Sequence, residues 1–304
     1  MKMRVVRSGL EFPEGPIVMP DGSVVLVEMR GERLTRIQPD GRAETIAQLP
    51  GGPNGAALGP DGMIYVCNNG GMSFTPHGTG WVPGPVDPTS YTGGRIERVD
   101  PETGRVELLH NHCGDVALRH PNDLVFDAAG GFWFTDTGKR MGRVFDLGVV
   151  YYARPDGGLV EAVYPIDKPN GIGLSADGGT LYVTETYTGR LLCFDLHAPG
   201  KIAIPAKADA AVGRVLTGLG GAQRCDGLAV EVNGNICVAT LVTGAITVIA
   251  PDGQIVDVVP TGDPHTTNIA FGGPDLRTAY ITLGGSGQLI EVEWPRPGLA
   301  LTYC

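Results

Sequence analysis

The stretch Lys168-Pro169-Asn170-Gly171-Ile172-Gly173-Leu174, followed by the turn Asp177-Gly178-Gly179 and the run Leu181-Tyr182-Val183, decides the fold, because the chain repeats its pattern six times. A polar residue leads an apolar run, a Gly/Asp turn reverses the chain, and a second apolar strand follows. The other copies begin at Pro13-Glu14-Gly15, Pro53-Asn54-Gly55, Pro121-Asn122-Asp123, Cys225-Asp226-Gly227 and Thr267-Asn268-Ile269. Their turns are Pro20-Asp21-Gly22, Pro60-Asp61-Gly62, Gly130-Gly131, Asn233-Gly234-Asn235 and Gly273-Pro274-Asp275. Successive lead residues lie 40, 68, 48, 56 and 42 positions apart. Each repeat has room for two further strands, as in Leu34–Ile37 with Glu44–Ala47, or Ala245–Ile249 with Ile255–Val259. Four antiparallel strands per repeat of roughly 40–50 residues predict a propeller. The fold class is therefore all-β, a six-bladed β-propeller with four antiparallel strands per blade, expected as one domain over residues 1–304. Closure needs a fourth strand for the last repeat. Met3–Val6 and Leu299–Tyr303 are the two candidates, and the sequence does not choose between them.

Composition agrees with many short strands and turns. The 304 residues include 47 Gly and 24 Pro without a collagen-like period, and 42% are hydrophobic. A formal charge of −10, with no Lys/Arg cluster, argues against nucleic acid or an anionic membrane as partner. No run approaches the ~18 apolar residues of a membrane helix, and Met1–Arg7 lacks the apolar core of a secretion signal. The six cysteines form no C-x-x-C pair and no zinc-like spacing with His. They read as reduced thiols of a cytoplasmic protein, with Cys67, Cys193 and Cys237 inside apolar strands.

The lead residue precedes the strand that lines a propeller's tunnel. Glu14, Asn54, Asn122, Asn170, Asp226 and Asn268 should therefore form a ring at one end of that tunnel. Asn, Asp and Gly after Pro also occur simply as turn formers. Six in register, with acids at positions one and five, favour a site. Two facing acids repel unless a cation lies between them, and a hard divalent ion accepts such oxygen ligands. Loops that follow the second strand of each blade return to the same face. The longest, Asn68 to Gly93, carries Met72, Phe74, His77, Trp81, Pro83 and Tyr91, and is expected to be an ordered lid. By the same argument Asp136 and Tyr187 become pocket residues, and His265 lies at the mouth.

The segments Phe12-Pro13-Glu14-Gly15-Pro16, His120-Pro121-Asn122-Asp123, Lys168-Pro169-Asn170-Gly171-Ile172-Gly173 and Cys225-Asp226-Gly227 resemble the SMP-30/gluconolactonase/LRE family, which includes regucalcin-type lactonases. The resemblance spans nearly the whole chain. It implies a divalent metal held by Glu14, Asn170 and Asp226, with Asn122 contacting substrate or metal and Asp123 beside it. His120 stands where the family pattern has Arg. Asn54 and Asn268 join the ring by position. The implied reaction is opening of a lactone ring, in a sugar aldonolactone or a related small lactone. Ca²⁺ is the first expectation for the metal, and Zn²⁺, Mn²⁺, Mg²⁺ or Fe²⁺ are alternatives. A divalent ion polarises the carbonyl, and Asp226, or in competition Asp123, takes the proton of the attacking water.

Other chemistries fit less well. There is no G-x-S-x-G nucleophile motif, and His77, His110, His112, His120, His197 and His265 fall mostly in loops. Two alternatives remain from the sequence: a phosphotriesterase-like hydrolase on the same metal, and a non-catalytic binding propeller. A strictosidine-synthase-like propeller fits worse, since it need not keep both Glu14 and Asp226. The particular lactone and the oligomeric state do not follow from the residues.

Overall fold

A computed structural model describes residues 1–78, 80–86, 88–203 and 213–304. The six sequence repeats are six antiparallel sheets. The innermost strands are Pro13–Val18, Pro53–Leu58, Pro121–Phe126, Pro169–Leu174, Arg224–Val230 and Thr266–Gly272. Each packs against the next, and the sixth against the first, so they line a closed tunnel. Four of them begin with Pro, which has no N–H to leave unpaired at a strand's first residue.

Two recurring devices set the geometry. The first is the turn after each inner strand. Asp21, Asp61, Asp127, Asp177, Asn233 and Asp275 each accept a hydrogen bond at Oδ1 from the backbone N–H two residues on, at 2.9–3.2 Å. These side chains stabilise the turn itself. The second is a β-bulge in every inner strand just after its start, for example between Glu14 and Ile17, Pro169 and Ile172, and Cys225 and Leu228. The same irregularity recurs in the other three blades. A bulge re-aims side chains at the point where it falls, and here that point is the lead residue.

Between adjacent blades lie apolar clusters such as Val125, Trp133, Val150, Tyr152, Leu181 and Phe194. Each fully buried side chain of this size contributes roughly 1.5–3 kcal/mol. Cys67, Cys193, Cys225 and Cys237 are buried free thiols, and all six cysteines are unpaired. Among the described residues no helix is long and apolar enough to cross a membrane.

The N-terminus closes the ring. Met3–Ser8 runs antiparallel to Gln288–Glu293, and Arg4 makes two hydrogen bonds to Glu291 at 2.6 and 2.7 Å. The competing segment forms no blade strand. Leu299 donates its N–H to Val230 O (2.8 Å), and Tyr303 packs edge-on to Phe126. Leu299–Cys304 thus lies beneath the tunnel, walling an apolar cavity of about 260 Å³ whose sides include Ile17, Leu58, Leu124 and Ile172.

Candidate active site

All six lead residues are buried, with exposures between 4 and 8%, at the end of the tunnel opposite the Asx-capped turns. Glu14 Oε2 accepts the Gly15 N–H (2.8 Å) and the Asn268 amide (3.1 Å). Asn170 bonds Asp226 and donates to Thr186 Oγ1 (3.1 Å). Asn54 and Asn122 occupy the same strand position in blades two and three.

Asp123 is the residue after a lead. Four blades have Gly at that place: Gly15, Gly55, Gly171 and Gly227. A Cβ on Gly55 would come within 2.5 Å of Asp123 Cα and Oδ1, and one on Gly227 would overlap the Asn268 amide. Space on the axis therefore admits the Asp123 carboxylate because its neighbours lack side chains. Asp123 and Asn268 border the apolar cavity below, whereas Glu14, Asn170 and Asp226 do not. Asp123 is thus the deeper acid. Its Oδ1 accepts the Leu124 N–H at 2.9 Å.

Three carboxylates share this space, and burial dominates their electrostatics. Burial, then the charge of Asp123, raises Glu14 to about 8. Burial raises Asp123 to about 7. Burial, then Glu14, pushes Asp226 well above its ordinary value. A protein that gathers three desolvated acids without a Lys or Arg among them meets the like-charge penalty in full. The donors present are carboxylate and amide oxygens, the set a hard divalent cation takes. Among the described residues no three His, Cys, Asp or Glu cluster closely enough to hold a metal by themselves. A site here would need the amides of Asn170 and Asn122 beside Glu14 and Asp226.

One layer toward the mouth, two residues before each lead, stand Phe12, Gly52, His120, Lys168, Arg224 and Thr266. Phe12, Gly52, His120 and Lys168 precede their strands, and Arg224 and Thr266 are the first residues of theirs, so this second ring of six positions lies at the tunnel end beyond the lead ring. His120 is buried. Thr137 Oγ1 donates to Gly138 O (3.1 Å) and so accepts from His120 Nδ1 (2.9 Å), which leaves Nε2 as an acceptor. Burial, then the charges of Lys168 and Lys139, lowers His120 to about 3, so the ring is neutral at ordinary pH. Lys168 and Phe12 hold positive φ, 43° and 60°, immediately before a proline, a conformation costing about 1–3 kcal/mol for a residue with a Cβ.

Asp136 lies at the top of the second strand of blade three and is 1% exposed. Its carboxylate accepts the N–H groups of Arg119, His120 and Gly138 at 2.7–3.0 Å. Glu28, Asn68 and Glu185 hold the segment before the lead in the same way in blades one, two and four. Asp136 positions His120; its oxygens are engaged by backbone. Tyr187 is about half exposed at the mouth, its ring 5.9 Å from Phe145. His265 packs on Phe12 and holds its backbone N–H to Asp263 (2.8 Å).

The Asn68–Gly93 segment contains a hairpin, Phe74–His77 with Gly80–Pro83. It leaves blade two and crosses blade one, where Phe74 lies 5.3 Å from Phe12 and Arg30 stacks on Trp81 at 3.4 Å. Gly80 reaches blade six so closely that a Cβ would overlap Gly285 O. The expected ordered lid is this hairpin. Thr79 and Asp87 lie outside the described residues.

Residues 12–285 match the model of the SMP-30/Gluconolactonase/LRE-like region. The chain belongs to this family. It is 28% identical over 313 residues to lactonase drp35 of Staphylococcus epidermidis, covering 99% of this chain and 85% of the relative. It is 24% identical over 305 residues to the gluconolactonase of Zymomonas mobilis, covering 89% and 76%. The solved structure of regucalcin from Agrobacterium tumefaciens, described as a calcium-binding protein, superposes with a TM-score of 0.75 at 21% identity, over 99% and 98% of the two chains. That last likeness is one of fold. Lactone hydrolysis is accordingly supported at the level of the family. Apart from His120, the second ring is not among the residues the sequence singles out; its signal is nonetheless present, as every member sits two residues before a lead.

Proposed function

We propose that the chain opens a small lactone with a divalent cation held by Glu14, Asn170 and Asp226, with Asn122 as a further oxygen donor. The observation that supports this most directly is the group of three buried carboxylates at the lead ring, all raised by burial, with Glu14 and Asp226 raised further by the neighbouring acids. A cation on these oxygens relieves both penalties and, when bound, polarises the lactone carbonyl as a Lewis acid. Ca²⁺ is the first choice: the donors are all oxygen, and the regucalcin neighbour is described as calcium-binding.

The chain's own residues supply the remaining functions. Asp226 belongs to the layer that faces the mouth, and we assign it the role of taking the proton from attacking water. Asp123, bordering the cavity on the far side, supports the charge of the site from below. His120, neutral and fixed through Nδ1, offers Nε2 as an acceptor for a substrate hydroxyl, beside Asn122. Asn54 and Asn268 complete the polar wall; Asn268 holds Glu14 in place (3.1 Å). Asp136 acts through the His120 backbone. The lid hairpin and Tyr187 cover the mouth and limit water. The six free thiols accord with a reducing, cytoplasmic setting.

The experiment is acid release from a panel of aldonolactones and aliphatic lactones by chelator-stripped protein, with Ca²⁺, Mg²⁺, Mn²⁺, Zn²⁺ or Fe²⁺ restored in turn. Turnover that requires a cation and falls by a factor of about 10² or more in Asp226→Ala fits the reading. Full turnover without any cation, or in Asp226→Ala, sinks it.

A further inference from the structure

We propose that the mouth carries an anion-binding subsite formed by Lys168 and Arg224, and that the preferred substrate is a lactone bearing a free carboxylate or phosphate. This rests on the lactonase reading and names a substrate class within it.

The two cations are placed by the repeat itself. Lys168 is two residues before Asn170, and Arg224 is two before Asp226. Each precedes its ring residue by two positions, Arg224 as the first residue of its strand and Lys168 just ahead of its own. They share an aromatic neighbour: the Lys168 amine lies 5.7 Å and the Arg224 guanidinium 5.4 Å from the Tyr187 ring. Phe145, on the mouth hairpin of blade three, is 5.3 Å from the same amine. The rings fix these cations by cation–π contact and lower the local dielectric, which strengthens attraction for an anion.

Neither cation is neutralised by an ion pair among the described residues. Lys168 donates to the backbone oxygen of Gly138 (3.2 Å). The acids nearest to it have other partners or lie beyond ion-pair distance: Asp136 is engaged by three amides, and Asp146 pairs with Arg119 at 3.0 Å. Asp167 adjoins Lys168 in sequence and makes no ion pair with it. Arg140 and Arg143 lie exposed on the same mouth hairpin as Phe145. Positive charge thus gathers at this mouth although the whole chain carries −10, the pattern that draws an anionic ligand toward a site. A neutral lactone gives two such cations nothing to pair with. A carboxylate or phosphate substituent pairs with both while its ring carbonyl reaches the layer beneath.

The test compares a neutral aldonolactone with an aldaric acid monolactone of the same ring size, which carries one free carboxylate. Wild-type protein and the variants Lys168→Met and Arg224→Met are each charged with Ca²⁺ and checked by thermal melting. The expected result is a kcat/KM at least tenfold higher for the carboxylated lactone in wild type, with a preference that shrinks as salt rises. Each variant should lose at least tenfold more on the carboxylated lactone than on the neutral one, mainly through KM. Equal losses on both lactones, or a wild-type preference for the neutral one, overturns the subsite while leaving lactone hydrolysis intact. If neither lactone turns over, the lactonase reading fails, and calorimetry with the ring-opened acids decides the subsite separately. Glucarate binding tenfold tighter than gluconate, lost in Arg224→Met, supports it; equal binding refutes it. Arg224 is exposed at its strand's first residue, so its variant serves if Lys168→Met fails to fold.

Discussion

Removing the cation should make this protein less stable as pH rises toward 8, and Glu14 shows why. Its carboxyl sits at about 8 in the fold against an ordinary 4.5, because burial and then Asp123 disfavour its charge. Below pH 4.5 it is protonated in both folded and unfolded chains, and contributes no pH-dependent penalty. Between 4.5 and 8 the unfolded chain ionises while the folded one retains its proton, so folding takes up a proton and stability falls by ~1.36 kcal/mol per pH unit. From pH 5 to 8 this single group accounts for a loss of about 4 kcal/mol. Asp123, raised to about 7, and Asp226, raised well above its ordinary value, act in the same direction, and the three are linked rather than additive. With ~2.1 cal/mol/K of unfolding entropy per residue, a chain of 304 residues shifts its Tm by about 1.5 °C per kcal/mol, hence by about 6 °C over this range. The assay is urea unfolding or thermal melting in chelator at pH 5 and 8, repeated with Glu14→Gln and with Ca²⁺ restored. Glu14→Gln should make the slope shallower, leaving the part that Asp226 and Asp123 contribute. Cation at 100 times its Kd should return about 2.7 kcal/mol to wild type and far less to the variant. Equal stability of chelated wild type at both pH values, or an unaltered slope in Glu14→Gln, would refute the account of the ring as a strained, cation-seeking cluster.

Other predictions rest on particular contacts. Glu231 is fully buried and holds Trp294 Nε1 (2.7 Å), Arg296 Nε (2.6 Å) and Asn235 Nδ2 (2.8 Å). Glu231→Ala strands these donors and should cost about 3–5 kcal/mol, read by denaturant titration, without a selective loss of activity in the folded fraction. Gly227→Ala places a Cβ on the Asn268 amide; loss of cation stabilisation in a melting assay is expected even where the fold survives. Gly80→Ala should lift the lid hairpin from Gly285, raising KM several-fold in steady-state kinetics while the lead ring still takes up its cation in a melting assay. Deleting residues 1–8 removes the strand paired with Gln288–Glu293 and should lower Tm far more than deleting 301–304; equal effects would contradict closure by the N-terminus.

Much of this was legible because a propeller converts sequence register into position. The period placed Glu14 and Asn268, 254 residues apart in sequence, within hydrogen-bond distance, without any pairwise signal. The turn acids were legible by the same period, and local backbone distinguishes them from the ring acids. Asp21 or Asp177 lies in a turn where its oxygen bonds backbone, whereas Glu14 or Asp226 starts a bulged strand whose side chain is turned to the axis. The features that were not legible depend on contacts between segments far apart in the chain. Asp136 has a pocket residue's position and an amide-binding role, since its three N–H partners come from backbone that no pattern marks. Closure was undecided because Met3–Val6 and Leu299–Tyr303 are both short and apolar. The ladder with Gln288–Glu293 and the Arg4–Glu291 pair distinguish them only in three dimensions.

The same fold holds two kinds of buried acid with opposite pH signs, and this bears on why a cation belongs at the mouth. Despite burial, Glu231 lies below its ordinary value through its bonds to Arg296, Trp294 and Asn235, and Glu28 does so through Arg33, Thr35 and the Glu11 N–H. Their stabilisation is present above pH 4.5 and disappears as pH falls through their lowered values. Glu14, Asp123 and Asp226 run the other way. Without a cation the two groups restrict greatest stability to a window near pH 5. A ligated cation removes only the second penalty, because it replaces the proton that the ring otherwise takes up. The window should then extend through neutral pH, with the acid limb unchanged. A cation that broadened the acid limb instead would be bound near Glu28 or Glu231, and the ring of six lead residues would lose its claim to the site.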